Sequence, residues 1–168
     1  GATPTTHTPI WVFEYTSSEA VGIAIYGVTG SLATGSVTRP SVFGCHAWPT
    51  TSTTQQSLVT TAGNLTKARY KLTVAPGGVT AFTFTVYKND VAQDGSGGTT
   101  DTRVTITGAA TTGNWAGTLS CTTSDRLQVR TALTGTPAAT VGSAAFVFQT
   151  TVDGEYNLGG WSPGFLAS

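Results

Sequence analysis

Short segments in which apolar residues alternate with threonine or tyrosine constrain the fold of this chain more than any other feature. In residues 81–87 (Ala-Phe-Thr-Phe-Thr-Val-Tyr), Phe82, Phe84 and Val86 occupy every second position. Because successive side chains of a strand point to opposite faces, this period of two predicts a strand with one buried and one solvent-facing side. Similar segments recur over residues 64–149 with turn-forming residues between them, which predicts a β-sheet protein.

The segments are short and evenly spaced, and no helical period extends beyond a turn or two. Ten candidate strands follow from the alternation and the turn residues: 10–15, 21–26, 41–48, 57–60, 65–75, 80–87, 101–107, 116–122, 126–133 and 141–151. Residues 27–35 and 88–100 are expected to be loops, and Gly113-Asn114 and Ser124-Asp125 are expected to be turns. In 65–75, Ala68, Tyr70, Leu72 and Val74 are expected to face the core.

The spacing of these strands predicts the fold class. Many short strands with Gly and Pro turns indicate an all-β sandwich or barrel. We expect a single jelly-roll β-sandwich of about eight to ten antiparallel strands, with a closed single-sheet barrel as the main alternative. The expected parts of the 168-residue domain are an extended arm (1–9), leading strands (10–60), the clearest jelly-roll strands (61–151) and a Gly/Trp tail (152–168).

Charge and hydrophobicity exclude two classes of partner. The net charge is zero, with eight cations and eight anions, whereas proteins that neutralise nucleic-acid phosphates carry an excess of Lys and Arg. No apolar run approaches the ~20 residues that span a bilayer. Charged residues make up only 10% of the chain, against roughly 25% in an average domain. We therefore expect neither nucleic-acid nor membrane binding. We also expect a surface that is hydrated through threonine hydroxyls.

The residues that could carry chemistry are few and scattered. Nucleophilic catalysis needs a base beside the nucleophile, most often histidine, and the two histidines, His7 and His46, have no partner pattern. Asp90, Asp94 and Asp101 lie in a Gly-rich stretch that offers a minor alternative, a calcium site, but turn formation explains them as well. We predict no catalytic residues, no cofactor and no metal.

The two cysteines, Cys45 and Cys121, do not form a disulfide framework. Cys121 alternates inward with Leu119, and free cysteine is among the most buried residue types. We favour a buried, unreactive thiol over a bridge between the two.

Two sets of residues are candidates for binding. Lys67, Arg69 and Lys71 form a cationic stripe on one face of the strand at 65–75. Such a stripe either protects an edge strand from aggregation or contacts an acidic neighbour. Trp115, at the predicted Gly-Asn turn, and Trp161, in the tail, are expected to be exposed. They would anchor a subunit interface, where tryptophan is enriched, or stack on a glycan.

The clearest strands resemble a known family. The matching segments are AGNLTKARYKLTVAPGG, FTFTVYKND, RVTITGAATTG, SDRLQVRTALTGTPAA and SAAFVF, within residues 62–148. Their order is similar to that in jelly-roll β-sandwich structural proteins of tailed bacteriophages, which in turn look like trimeric C1q/TNF-type domains. The chain departs from the family pattern at Asn89-Asp90, where Asn-Gly is usual, and at Ser124-Asp125, where Gly-Asp is usual.

The resemblance implies a non-enzymatic virion protein. A protein of this kind is a capsid decoration, head-fibre or tail-fibre component, located on the particle surface. It would be a homotrimer in contact with the major capsid protein or other virion proteins, and its arm or tail would reach a neighbouring subunit or the shell. The alternative is a β-sandwich module that binds a glycan or the host surface.

Overall fold

The computed structural model of the chain describes residues 23–40, Val42, Trp48 and 56–152, with side chains described from Val28 onward. These residues form no helix, and so none that could span a bilayer. They form nine strands: β1 (Ile23–Leu32), β2 (Ser57–Leu58), β3 (Gly63–Leu72), β4 (Ala81–Lys88), β5 (Val91–Ala92), β6 (Val104–Thr107), β7 (Thr112–Cys121), β8 (Arg126–Thr134) and β9 (Thr140–Thr150).

The strands are arranged in two antiparallel sheets. The first has the order β1-β9-β3-β7. The second has the order β2-β8-β4-β5, and β6 pairs with the same edge of β4 as β5 does. One hydrophobic core lies between the two sheets, so the fold is a β-sandwich. The all-β class and the two-sheet architecture predicted from the alternation are confirmed, and the closed single-sheet barrel is wrong.

The predicted alternation places the core residues correctly in β4 and β3. Phe82, Phe84 and Val86 are almost completely buried, and so are Tyr70 and Leu72 on the facing sheet. The tyrosine ring stacks on Phe84 with a centroid distance of 4.4 Å and an interplanar angle of 15°. Aromatic pairs of this kind add about 0.5–1.5 kcal/mol to the stabilisation that comes from buried area. This stack links the interior strands of the two sheets.

Two segments differ from the sequence prediction. Residues 27–32 were expected to form a loop, but β1 continues through them because the long strand β9 pairs with it from Ile23 to Leu32. Strand pairing depends on such neighbours more than on local residue type. Val74 was expected in the core, but β3 ends at Leu72 and Val74 is 49% exposed. Its amide donates instead to Thr140 Oγ1, as the chain leaves the sheet.

Gly113 and Asn114 were expected to form a turn, but both lie within β7. A Cβ atom at Gly113 would lie only 2.4 Å from Val104 Cγ1 and 3.0 Å from Ile106 Cγ1. Glycine is therefore required here by the close approach of β6 from the opposite sheet. The turn itself comes earlier, at Gly108, where φ is +61°.

The loop predicted at 88–100 is only partly irregular. It contains β5, which forms a hairpin with the end of β4, and Asp94 bridges to Asp101. The predicted arm, the strand candidate at 10–15, most of the one at 41–48 and the tail from residue 153 lie outside the described residues.

Both departures from the family pattern adopt left-handed backbone conformations. Asn89 and Asp90 have φ values of +51° and +65°, and Ser124 has +77°. Two consecutive positive φ values are typical of the type I′ turn that connects hairpin strands. Asn and Asp tolerate this conformation, because their side chains bond locally, but serine is less suited to it.

Replacing Ser124 with glycine should therefore stabilise the protein. The left-handed penalty of about 1–2 kcal/mol for a non-glycine residue exceeds the entropic cost of glycine, so Ser124→Gly should raise the free energy of unfolding by about 0.5–1 kcal/mol. Urea denaturation measures the change. Ala145→Gly, at an exposed position within β9, is the control and should lower stability. Equal destabilisation by both substitutions would contradict the explanation.

Tyr70 provides a second stability test, because its buried hydroxyl has no hydrogen-bond partner among the residues that the structure describes. Burial also raises the pKa of this phenol far above its usual value. An unsatisfied buried polar group costs about 1–3 kcal/mol, and phenylalanine retains the ring that stacks on Phe84. Tyr70→Phe should therefore raise the free energy of unfolding by about 1 kcal/mol, measured in urea. Tyr87→Phe on the outer face of β4 should change it little. Lower stability in Tyr70→Phe would mean that the hydroxyl has a partner.

Candidate functional site

The predicted cationic stripe lies on the outer face of the four-stranded sheet. Lys67, Arg69 and Lys71 on β3 are exposed and point away from the core, whereas Ala68 and Tyr70 between them are buried. We call this surface the cationic face. It consists of these three cations and their cross-strand neighbours: Ala116, Asn114 and Thr112 on β7, and Val147, Ala145 and Ser143 on β9. Every neighbour is uncharged, and most are small.

A β-bulge places Lys67, the first of the three cations, on this face. The pairing of β3 with both neighbouring strands shifts register between Leu65 and Lys67. A bulge adds one residue to a strand, so Thr66 and Lys67 both come between the inward-facing Leu65 and Ala68. Without the extra residue, strict alternation from Leu65 would direct Lys67 into the core.

The edge-strand explanation of the cations is wrong. Strand β3 lies between β9 and β7 and pairs with both along most of its length. An interior strand has no open hydrogen-bonding edge that charge must protect. The other interpretation of the stripe, contact with an acidic neighbour, stays a prediction.

The acidic residues of the described ranges are engaged elsewhere. Ion pairs join Asp90 to Arg126 and Arg130, Asp101 to Arg103, and Asp125 to Lys88. Asp94 accepts hydrogen bonds from the Ser96 and Gly97 amides and the Ser96 hydroxyl, which lower its pKa to about 2. No ion pair within the described part of the chain includes Lys67, Arg69 or Lys71.

The carboxylate of Asp125 joins two connections of the sandwich. Burial acts to raise its pKa, but hydrogen bonds from Thr122 and Asn89 and the charge of Lys88 outweigh burial, so the pKa stays below its usual value. The Thr122 amide donates to Asp125 Oδ2 over 2.8 Å, and Asn89 Nδ2 donates to Oδ1 over 2.6 Å. This residue therefore ties the turn before β8 to the β4–β5 hairpin.

Trp115 lies in a different environment from the one expected. It is part of β7 rather than a turn, its ring is only partly exposed, and it packs against the core. Its Nε1 donates to the carbonyl oxygen of Asp101 over 2.8 Å. The ring also limits Gly117, where a Cβ atom would lie 2.9 Å from Trp115 Cζ2. Through the hydrogen bond to Asp101, Trp115 holds the 94–103 connection against β7. Trp161 lies outside the described residues.

Sequence reasoning missed an arginine cluster on the outer face of the second sheet. The guanidinium of Arg130 lies 4.0 Å from the centroid of the Tyr87 ring, and its Nη2 donates to Asp90 over 2.5 Å. With Arg39 it lines a cleft of about 180 Å³. The Nε of Arg39 is buried and has no hydrogen-bond partner within the described ranges. One residue could have indicated this cluster from the sequence. It is Asp90, which stands where the resembled pattern has glycine. Its carboxylate forms ion pairs with Arg126 and Arg130.

The aspartates of residues 90–101 do not form the calcium site that was the minor alternative. Asp90 and Asp101 are directed to arginines, and Asp94 is occupied by the donors of its own turn. Within the ranges that the structure describes, no three His, Cys, Asp or Glu side chains come together in a group that could hold a metal.

Cys121 is a free thiol in the core, 3% exposed, as predicted. Burial raises its pKa to about 11, so the thiol is protonated at neutral pH and unreactive. The interpretation as an unreactive core thiol is confirmed, whereas Cys45 lies outside the described residues.

Comparison with known proteins identifies no family. No protein-family model matches the chain, and no curated protein is significantly similar to it.

The packing of Trp115 leads to a prediction about its role. Trp115→Ala removes a partly buried ring and leaves the Asp101 carbonyl without its donor, so we expect the free energy of unfolding to fall by about 2 kcal/mol in urea. Asn114→Ala, on the exposed side of the same strand, should change it by less than about 0.5 kcal/mol. Unchanged stability in Trp115→Ala, together with lost binding on a glycan array, would instead support a sugar-stacking role.

Proposed function

We propose that this chain is a non-enzymatic structural component of a tailed-bacteriophage particle. In this proposal it is a capsid decoration, head-fibre or tail-fibre protein on the virion surface, built as a jelly roll. The observation that carries the proposal is the strand arrangement. β5 pairs with the same edge of β4 as β6 does, so it adds no further position to the sheet, and the other eight strands divide into the orders β1-β9-β3-β7 and β2-β8-β4-β6. Eight strands in two sheets is the strand count of a jelly roll, the fold that the phage resemblance implies.

The surface chemistry supports a role in assembly. The cationic face lies on the outer side of a sheet and is carried by an interior strand, which suits contact with another protein more than enclosure of a small substrate. The threonine-rich exterior lets many copies pack side by side with little like-charge repulsion. In the proposal the chain is a homotrimer that contacts the major capsid protein or another virion protein.

The glycan-binding alternative loses one of its two candidate residues. Trp115 was expected to present an exposed ring, but its ring packs on the core and its Nε1 is bonded to Asp101. The alternative then depends on Trp161, and no contact among the described residues favours it.

Composition analysis of purified particles tests the proposal. Quantitative mass spectrometry should detect the chain in virions of the phage that encodes it that have been washed at low ionic strength, in a copy number divisible by three. Light scattering of the isolated protein should give about 52 kDa, three times the 17.2 kDa of the chain. Absence of the chain from washed virions would refute the virion role. A 17 kDa monomer at micromolar concentration would refute the trimer alone.

A further inference from the structure

We propose that the cationic face binds an acidic protein surface, one that presents several aspartate or glutamate carboxylates along a flat face. The inference goes further than the proposed function because it names the chemistry of the partner. It rests on that function only for the statement that the partner is a virion neighbour. The chemistry of the face is independent of that function.

The three cations are held in a fixed row. Residues two apart on a strand are separated by about 6.7 Å, so Lys67, Arg69 and Lys71 extend over about 13 Å with their charges on one side. Interior pairing on both sides of β3 fixes the backbone that carries them. The neighbouring positions hold small or uncharged side chains such as Ala145, Ser143 and Thr112, so a partner can approach closely along the whole row.

Charge complementarity identifies the partner as acidic. The eight acidic residues balance the eight basic ones over the whole chain, yet the four described aspartates lie in connections of the other sheet or beside it, each with its own donors. Among the described residues, the face therefore has no carboxylate that compensates its positive charge, and the other four acidic residues of the chain lie outside the described ranges. Arginine and lysine form charge-assisted hydrogen bonds with carboxylates, and arginine can bind one through two parallel hydrogen bonds.

A protein partner fits this face better than a nucleic acid does. Nucleic-acid binding surfaces are usually basic over a whole domain, with an excess of Lys and Arg. Here the row is limited to three cations, and the net charge is zero. A second sheet whose exposed strand carries carboxylates at alternate positions has the same repeat of about 6.7 Å as the row. Such a surface could pair with all three cations at once.

A binding experiment with matched variants tests the inference. Fluorescence anisotropy would measure binding of labelled poly-L-glutamate to the full chain at low salt. Lys67→Gln/Arg69→Gln removes two charges from the face, and Arg103→Gln/Arg126→Gln removes two charges from half-exposed arginines elsewhere. We expect the first pair to weaken binding about fivefold or more and the second less than about twofold. Added salt should weaken the wild-type binding, because exposed charges are screened within about 10 Å at 0.1 M.

Several results would overturn the inference. Equal weakening by both variant pairs would mean that general charge, not this face, attracts the probe. If the wild-type chain does not bind poly-L-glutamate, the inference of an acidic partner is wrong. Tighter binding of a DNA duplex or heparin than of poly-L-glutamate, lost in Lys67→Gln/Arg69→Gln, would assign the face to a different polyanion. Self-association lost in the same variant would assign it to a second copy.

Thermal melting of both variants at the wild-type temperature would exclude misfolding as the cause.

The inference and the proposed function fail in different ways. If the chain is present in washed virions but the face variants bind poly-L-glutamate like the wild type, the virion role stands and the acidic contact is wrong. If the face binds the probe as expected but the chain is absent from virions, the acidic partner stands and belongs to another assembly.

Discussion

The stack of Tyr70 on Phe84 is the contact on which the rest of the structure depends. It joins β3, in the interior of one sheet, to β4, in the interior of the other, and Phe146 and Trp48 pack edge-on against its two rings. Because side chains alternate along a strand, directing Tyr70 inward directs Arg69 and Lys71 outward. The core contact and the cationic face are therefore two consequences of the same strand orientation. The unpaired hydroxyl of Tyr70 is a cost of using tyrosine in this stack.

The sequence predicted the parts of the fold that depend on local alternation. In β4, β6 and β8, inward residues such as Phe84, Ile106 and Val129 repeat with a period of two, and the structure buries these three. The misplaced parts depend on distant partners. Gly113 resembles a turn residue, but the close approach of β6 is the reason for glycine at this position. Similarly, β1 extends to Leu32 because β9 supplies the hydrogen bonds.

The candidate site also has parts that could be predicted from the sequence and parts that could not. That Lys67, Arg69 and Lys71 share a face could be predicted, although the bulge beside Lys67 could not. Their place on an interior strand could not be predicted either, because strand order is a property of the whole sheet. The cluster of Arg39, Arg130 and Asp90 brings together three segments that are distant in the sequence. Asp90, at the position where the resembled pattern has glycine, forms ion pairs with two arginines and therefore has a structural role in this chain.

We propose that an interior strand, fixed by the core, presents cations that have no ion pair among the described residues to an acidic neighbour on a virus particle. Carbodiimide cross-linking of intact virions tests it most directly, because this reagent joins a lysine amine to a carboxylate in direct contact. The chain has three lysines, and Lys88 lies 3.9 Å from Asp125, so it serves as an internal control. Cross-links from Lys67 and Lys71 to carboxylates of a different virion protein are predicted. Cross-links from these two lysines only to their own molecule, or none at all while Lys88 reacts, would contradict the claim.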